Sequence, residues 1–184
     1  SVYVTTPSGT THLTIAVTIV NPLFAGSITS ATSQTITYNT SPPTITCSTA
    51  SGGSCSPSFS YLWEYSTNIS DWYSTGVTTL NYFPGNLTQT TYYRRKVTDA
   101  STGNIGYSNW ATVYVAPQLQ AGALNPASQS IPTGNFSYIC GSATGGNCGF
   151  SYSYQWQSSP NGSSGWTNVS GANSSCYNLS PFPT

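Results

Sequence analysis

Charge is what this sequence has least of. Of 184 residues, three are Lys or Arg and three are Asp or Glu, with one His, no Met and a formal net charge of zero. The charged residues, Glu64, Asp71, Arg94, Arg95, Lys96 and Asp99, all fall in one middle segment. A neutral chain offers no electrostatic footprint to nucleic acid or to an anionic membrane surface, so neither is expected as a partner. No stretch holds the ~18 consecutive apolar residues of a membrane span, and none keeps a helical period. No signal peptide is visible, so residue 1 reads as a processed mature N-terminus.

The same scarcity leaves catalysis little to work with. His12, the lone histidine, sits on the polar side of an alternating strand and reads as an ordinary strand residue. Glu64 neighbours Trp63 and is expected to face outward, and Asp71 lies in the turn-like ISDWYS. Arg94, Arg95 and Lys96 read as the guard of an exposed strand edge. There is no Ser-His-Asp set, zinc motif or phosphate loop. The expectation is a protein that is not an enzyme and uses no cofactor.

What is present favours strands. Ser and Thr make up roughly a third of the chain, well above ordinary globular usage. Thr, Val, Ile and Tyr suit strands, and 17 Gly and 12 Pro punctuate them. Fourteen Tyr and five Trp need a packed interior, which argues against disorder. The expected class is all-β.

One segment occurs twice. TCSTASGGSCSPSFSYLWEYS, Thr46 to Ser66, matches ICGSATGGNCGFSYSYQWQSS, Ile139 to Ser159. Cys47 aligns with Cys140, Cys55 with Cys148, Tyr61 with Tyr154 and Trp63 with Trp156; further on, Trp72 meets Trp166, Gly76 meets Gly171 and Tyr82 meets Tyr177. The period of about 93–95 residues is that of an immunoglobulin-like β-sandwich. In the first copy, strands are expected near 33–38, 43–49, 59–66, 77–83, 91–98 and 107–115. Trp63 and Trp156 are expected in the cores.

The YSYQWQSS…GWTNVSGA stretch resembles the immunoglobulin-like repeats of prokaryotic surface adhesins and filaments, over Pro22 to Thr184. That resemblance implies secretion, tandem arrays and display away from the cell. It gives three regions: an N-terminal strand or hairpin at 1–21, a first sandwich at 22–116 and a second, incomplete one at 117–184.

The N-terminal region reads like the end of a repeat. THLTIAVTIV alternates Leu13, Ile15, Val17 and Ile19 with polar or small residues. Thr14–Pro22 aligns with Asn109–Pro117, the closing strand of the first repeat. The second repeat stops at CYNLSPFPT, where the first still has TYYRRKVTD and YSNWATVYV to come. A sandwich without its last strands exposes a groove and unpaired edges. A strand from the next subunit, carrying Leu13, Ile15, Val17 and Ile19, would fill that groove and build an open head-to-tail homopolymer. The logic resembles donor-strand complementation in chaperone–usher pilins, and most closely the glycosylated archaeal threads. It implies an extracellular filament for adhesion or cell–cell contact, with other cells or surface glycans as further partners. SVYVTT, before the Pro7-Ser8-Gly9 turn, either adds a second donated strand or extends the first.

Cysteines and sequons fit an exported chain. Cys47 with Cys55, and Cys140 with Cys148, each flank a Gly-Gly turn, so a local disulfide per repeat is expected; metal binding is the alternative, short of ligands. Cys176, aligned with Asn81, is either buried and free or paired between subunits. Asn-X-Ser/Thr sequons stand at Asn39, Asn68, Asn86, Asn135, Asn161, Asn168, Asn173 and Asn178. N-glycans there would supply the hydration that charge does not. Few carboxylates, many prolines and no Met suit acidic or hot surroundings. Two rivals stand beside the filament: a two-repeat window of a long tandem adhesin, and a carbohydrate-binding module in which Trp72 and Trp166 stack on sugars.

Overall fold

The computed structural model describes residues 2–13, 19–146, 149 and 151–179, and of 2–6 and 9–13 the backbone alone. These residues are all-β with no helix, arranged in several sheets consistent with a β-sandwich. The strands are β1 (Val2–Thr6), β2 (Gly9–Leu13), β3 (Ser33–Ile36), β4 (Phe59–Ser66), β5 (Tyr73–Ser74), β6 (Thr91–Asp99), β7 (Asn104–Tyr107), β8 (Ala111–Val115), β9 (Leu124–Asn125), β10 (Ser137–Gly141), β11 (Gln157–Ser158), β12 (Thr167–Asn168) and β13 (Cys176–Leu179). β1 and β2 form a hairpin, and β3-β8-β6-β4-β5 form one sheet with β7 also on β6. β13-β10-β9 and β11-β12 form two more sheets. The chain divides into two compact units: residues 1–32, 44–83 and 92–112, and residues 33–43, 84–91 and 113–184.

β6 sets the interior of the first unit. Its nine residues alternate strictly between buried and half-buried, with Tyr93, Arg95, Val97 and Asp99 turned inward. It pairs antiparallel with β4 from Phe59↔Asp99 to Ser66↔Tyr92, and on its other side with β7. The edge guard expected at Arg94–Lys96 is therefore corrected: this strand is central, and Arg95 is wholly buried. Arg95 donates to the carbonyls of Leu80 at 2.9 Å, Ala25 at 2.7 Å and Ser48 at 2.5 Å, and its guanidinium carbon lies 4.3 Å from the Tyr61 ring centroid. Arg94, on the opposite face, pairs with Glu64 at 2.8 Å, so Glu64 points away from Trp63 but is mostly covered.

The expected strands at 43–49 and 77–83 exist only as isolated bridges, Ile28↔Cys47 and Ile45↔Tyr82. Backbone bonds such as the pair between Ile45 and Tyr82 are few there, and side chains add others. Trp63 Nε1 donates to the Thr79 carbonyl at 3.0 Å, and Asn81 Oδ1 accepts from the Cys47 amide at 3.1 Å.

In the second unit β10 lies between β13 and β9, with Cys140 directly opposite Cys176. These two cysteines form a disulfide. The expected Cys140–Cys148 pairing is thus corrected; Cys148 itself lies outside the described residues. Cys47–Cys55 is also corrected, because both are free, Cys47 buried and Cys55 exposed. The reason is cross-strand register. Cys140 and Cys176 occupy the places that Cys47 and Asn81 hold in the first unit, where an amide hydrogen bond does the work of the covalent link.

Two outcomes follow from these interiors. Closing a sequence separation of 36 residues is worth about 4 kcal/mol by loop-closure entropy. Cys140→Ala with Cys176→Ala should lower the second unit's melting temperature, and a non-reducing digest should contain the Cys140–Cys176 peptide pair. Asp99 is the pH-sensitive group. Burial alone would raise its pKa, but hydrogen bonds from Ser101, Ser54 and Ser58 outweigh it and hold the carboxyl at about 2. A depressed carboxyl pKa stabilises the fold above the unfolded value of ~3.9, and that contribution is lost as pH falls toward 2. Thermal unfolding of the first unit should be flat from pH 7 to about pH 4 and weaken from there to pH 2. Asp99→Asn should be less stable at neutral pH and should lose this acid dependence.

Candidate strand-acceptor site

The two tryptophan strands share one set of hydrogen bonds. In the first unit the Trp63 amide donates to the Val77 carbonyl at 2.9 Å and its carbonyl accepts from Thr75 at 2.9 Å. In the second, the Trp156 amide donates to Ala172 at 3.0 Å and its carbonyl accepts from Val169 at 2.9 Å. The Trp63 indole reaches the Thr79 carbonyl and stacks on Tyr82 with centroids 5.6 Å apart. The Trp156 indole reaches the Ser174 carbonyl at 2.8 Å, with Tyr177 at 5.7 Å. Gly26 and Gly122 mark a further match. Both have positive φ, and a Cβ on either would strike a backbone carbonyl, that of Ser48 or Ser142.

What differs is cover. β4 is laddered to β6 along its whole length, and Trp63 has no exposed surface. The second unit's counterpart, residues 152–159, has ladder pairing only at Gln157 and Ser158, with β12. Its other edge has no ladder partner among the described residues, and Trp156 is only half-buried. Beside it lie two open cavities. One, of about 420 Å³, is lined by Leu124, Ile139, Trp156, Val169, Tyr177 and Leu179. The other, of about 500 Å³, is lined by Leu119, Ala121, Ala143, Tyr152 and Tyr154, among others. Neither lining holds an ionisable carboxylate, amine or imidazole. Such a surface suits an extended apolar segment, held by backbone ladder bonds and by burial of side chains.

The expected donor residues are placed as follows. Ile15 and Val17 lie outside the described residues. Leu13 ends β2, paired with Val2, and Ile19 is 92% exposed. In the Pro22–Pro117 alignment, Leu13 and Val17 stand at Ser108 and Thr112, both buried. Ile15 and Ile19 stand at Trp110 and Tyr114, both about half exposed. β8 carries apolar residues on both faces, so alternation alone does not tell which face of the N-terminal strand turns inward.

All eight sequon asparagines, Asn39, Asn68, Asn86, Asn135, Asn161, Asn168, Asn173 and Asn178, are exposed. Asn68 and Asn161 occupy the same loop of each unit. Asn68 Oδ1 accepts from the Ser70 and Asp71 amides, as Asn161 Oδ1 does from those of Ser163 and Ser164. The Asn68 amide also donates to Asp71 at 2.7 Å. His12 pairs with Tyr3 in the hairpin, and among the described residues no cluster of His, Cys, Asp or Glu could hold a metal ion. Trp72 and Trp166 are not equivalent. The Arg94 guanidinium lies 4.1 Å over the Trp72 ring, whereas Trp166 is 53% exposed. The sequence reading missed the buried Arg95 and Asp99 and the Cys140–Cys176 link. The alignment of Cys176 with Asn81 was the available signal for the last.

Fold and site together define an all-β protein in which one hydrogen-bonded core pattern recurs, once covered and once open. Residues 25–117, just over half of the chain, match a family described as a domain of unknown function, DUF8696, and the chain belongs to that family. None of the curated proteins matches it.

Proposed function

We propose that the protein is the structural subunit of an extracellular, head-to-tail filament whose immunoglobulin-like units are joined by donor-strand complementation, serving adhesion or cell–cell contact. The observation that carries the reading is the uncovered edge and apolar face beside Trp156, set against the fully covered Trp63. An N-terminal segment that aligns with the first repeat's closing strand supports it from the other side. Donor and acceptor are different surfaces of one chain, so their union is heterologous and propagates. Deleting residues 1–20 should leave the first unit folded and abolish polymers in sedimentation and electron microscopy. Polymers of normal length from that variant would defeat the reading. A dissociated subunit of native filaments many times heavier than the 19.4 kDa of these two repeats would favour the long tandem adhesin.

N-glycosylation belongs to the same proposal. Eight exposed sequons lie on a chain with almost no charge to keep it hydrated. Peptide mass spectrometry of native protein should find hexose-bearing asparagines among the eight; unmodified Asn at every one would remove the glycan coat.

A further inference from the structure

We infer that the donated element is the hairpin β1–β2 together with the segment that follows it in sequence, and that Val4 is the residue that closes the acceptor's core. This rests on the strand-donation reading and specifies its partner as residues 2–20 of a second copy.

The acceptor cavity states what is to be inserted. In the first unit Val97 is packed with Ala25 and Ala50, and Leu23, Phe59 and Tyr61 lie against that cluster. The counterparts of those five neighbours are Leu119, Ala121, Ala143, Tyr152 and Tyr154. All five line the open cavity of about 500 Å³ in the second unit. The surroundings of a Val97 are assembled there, on an edge with no strand beside it among the described residues.

The hairpin register states what supplies it. β6 and β7 pair as Asp99↔Asn104, Thr98↔Ile105, Val97↔Gly106 and Lys96↔Tyr107. β1 and β2 pair as Thr6↔Gly9, Thr5↔Thr10, Val4↔Thr11 and Tyr3↔His12. Gly9 stands as far ahead of Pro22 as Asn104 stands ahead of Pro117. The alignment of Thr14–Pro22 with Asn109–Pro117 therefore extends upstream without a gap, and Val4-Thr5-Thr6 falls on Val97-Thr98-Asp99. Only the turn is shortened, to Pro7-Ser8. The hairpin thus reproduces the register of β6 and β7, of which β6 is the strand laddered to Trp63's strand, and the sequence that follows aligns with β8.

The first unit also fixes the register of the joint. Val97 pairs with Tyr61 and Thr98 with Ser60. In the joint Val4 then lies opposite Tyr154, and Thr5 opposite Ser153. A single donated strand, occupying the β8 position alone, would leave Thr5 remote from Ser153.

Cysteine cross-linking of the full-length chain separates these arrangements. Thr5→Cys with Ser153→Cys, in a Cys55→Ser background that removes the exposed thiol, should give a ladder of covalent multimers on oxidation. Either single variant should lower the ladder at least tenfold. Polymers that form without the ladder would overturn the hairpin and leave strand donation standing. A link confined to one chain, or no polymer at all from unsubstituted protein, would overturn both. Val4→Asp provides a second readout: it should cut polymer yield at least tenfold while the first unit melts as before. Unchanged polymerisation of Val4→Asp would also overturn the inference.

Discussion

Arg95 lies wholly inside the first unit, where one side chain ties together the carbonyls of Ala25, Ser48 and Leu80. Taking a guanidinium out of water costs several kcal/mol unless its protons are satisfied. Here backbone carbonyls and the face of Tyr61 do most of that work, although Nε has no partner among the described residues. Three segments distant in sequence are held at fixed spacing as a result. Gly26 follows from the same constraint, because a Cβ there would collide with the Ser48 carbonyl and the guanidinium itself. Asp99, two inward positions along β6, organises the neighbouring loops in the same way, accepting from the amides of Ser54, Ser58 and Ser101.

The second unit keeps the scaffold around that strand but is tied differently. Its tryptophan node, its glycine against a carbonyl and its Asn-centred loop all recur. With less apolar surface covered, less hydrophobic free energy is available to hold it. A disulfide stands where the first unit uses the Asn81 amide, and it closes the loop that carries the uncovered face. A covalent tie preserves an open surface that packing alone holds weakly, and under the proposed strand donation it would limit the ordering cost of docking.

Much of this was legible in the residues. The repeat was readable because Trp, Tyr and Gly recur at positions where their geometry is demanding, and β4 runs over 59–66 as its alternation implies. The stretches 43–49 and 77–83 misled because β-branched residues announce a strand without saying whether side chains such as Asn81 and Trp63 will take the ladder's hydrogen bonds. Arg95 misled for a related reason. Period two places it inward, but a run of three cations suggests solvent, and only the meeting of Ala25, Ser48 and Leu80 shows why one of them is tolerated inside. The cysteine pairing was hidden because spacing around a Gly-Gly turn is local, whereas Cys140 and Cys176 meet through a register set by β10 and β13.

The distribution of charge fits the proposal that this chain covers one core from within and the other from outside. β6 carries its buried Arg95 and Asp99 beside their partners in the same fold, so their desolvation is part of one cooperative folding event. A hairpin that docks from another molecule is hydrated until it binds, and each buried charge it brought would be dehydrated at that moment and subtract from affinity. At the register positions of Arg95 and Asp99 the N-terminal hairpin has Val2 and Thr6. An apolar residue and a hydroxyl replace the two ions. The proposed joint would therefore be held by burial and ladder bonds, terms that neither salt nor acid weakens greatly. The acid sensitivity of Asp99 stays inside the first unit.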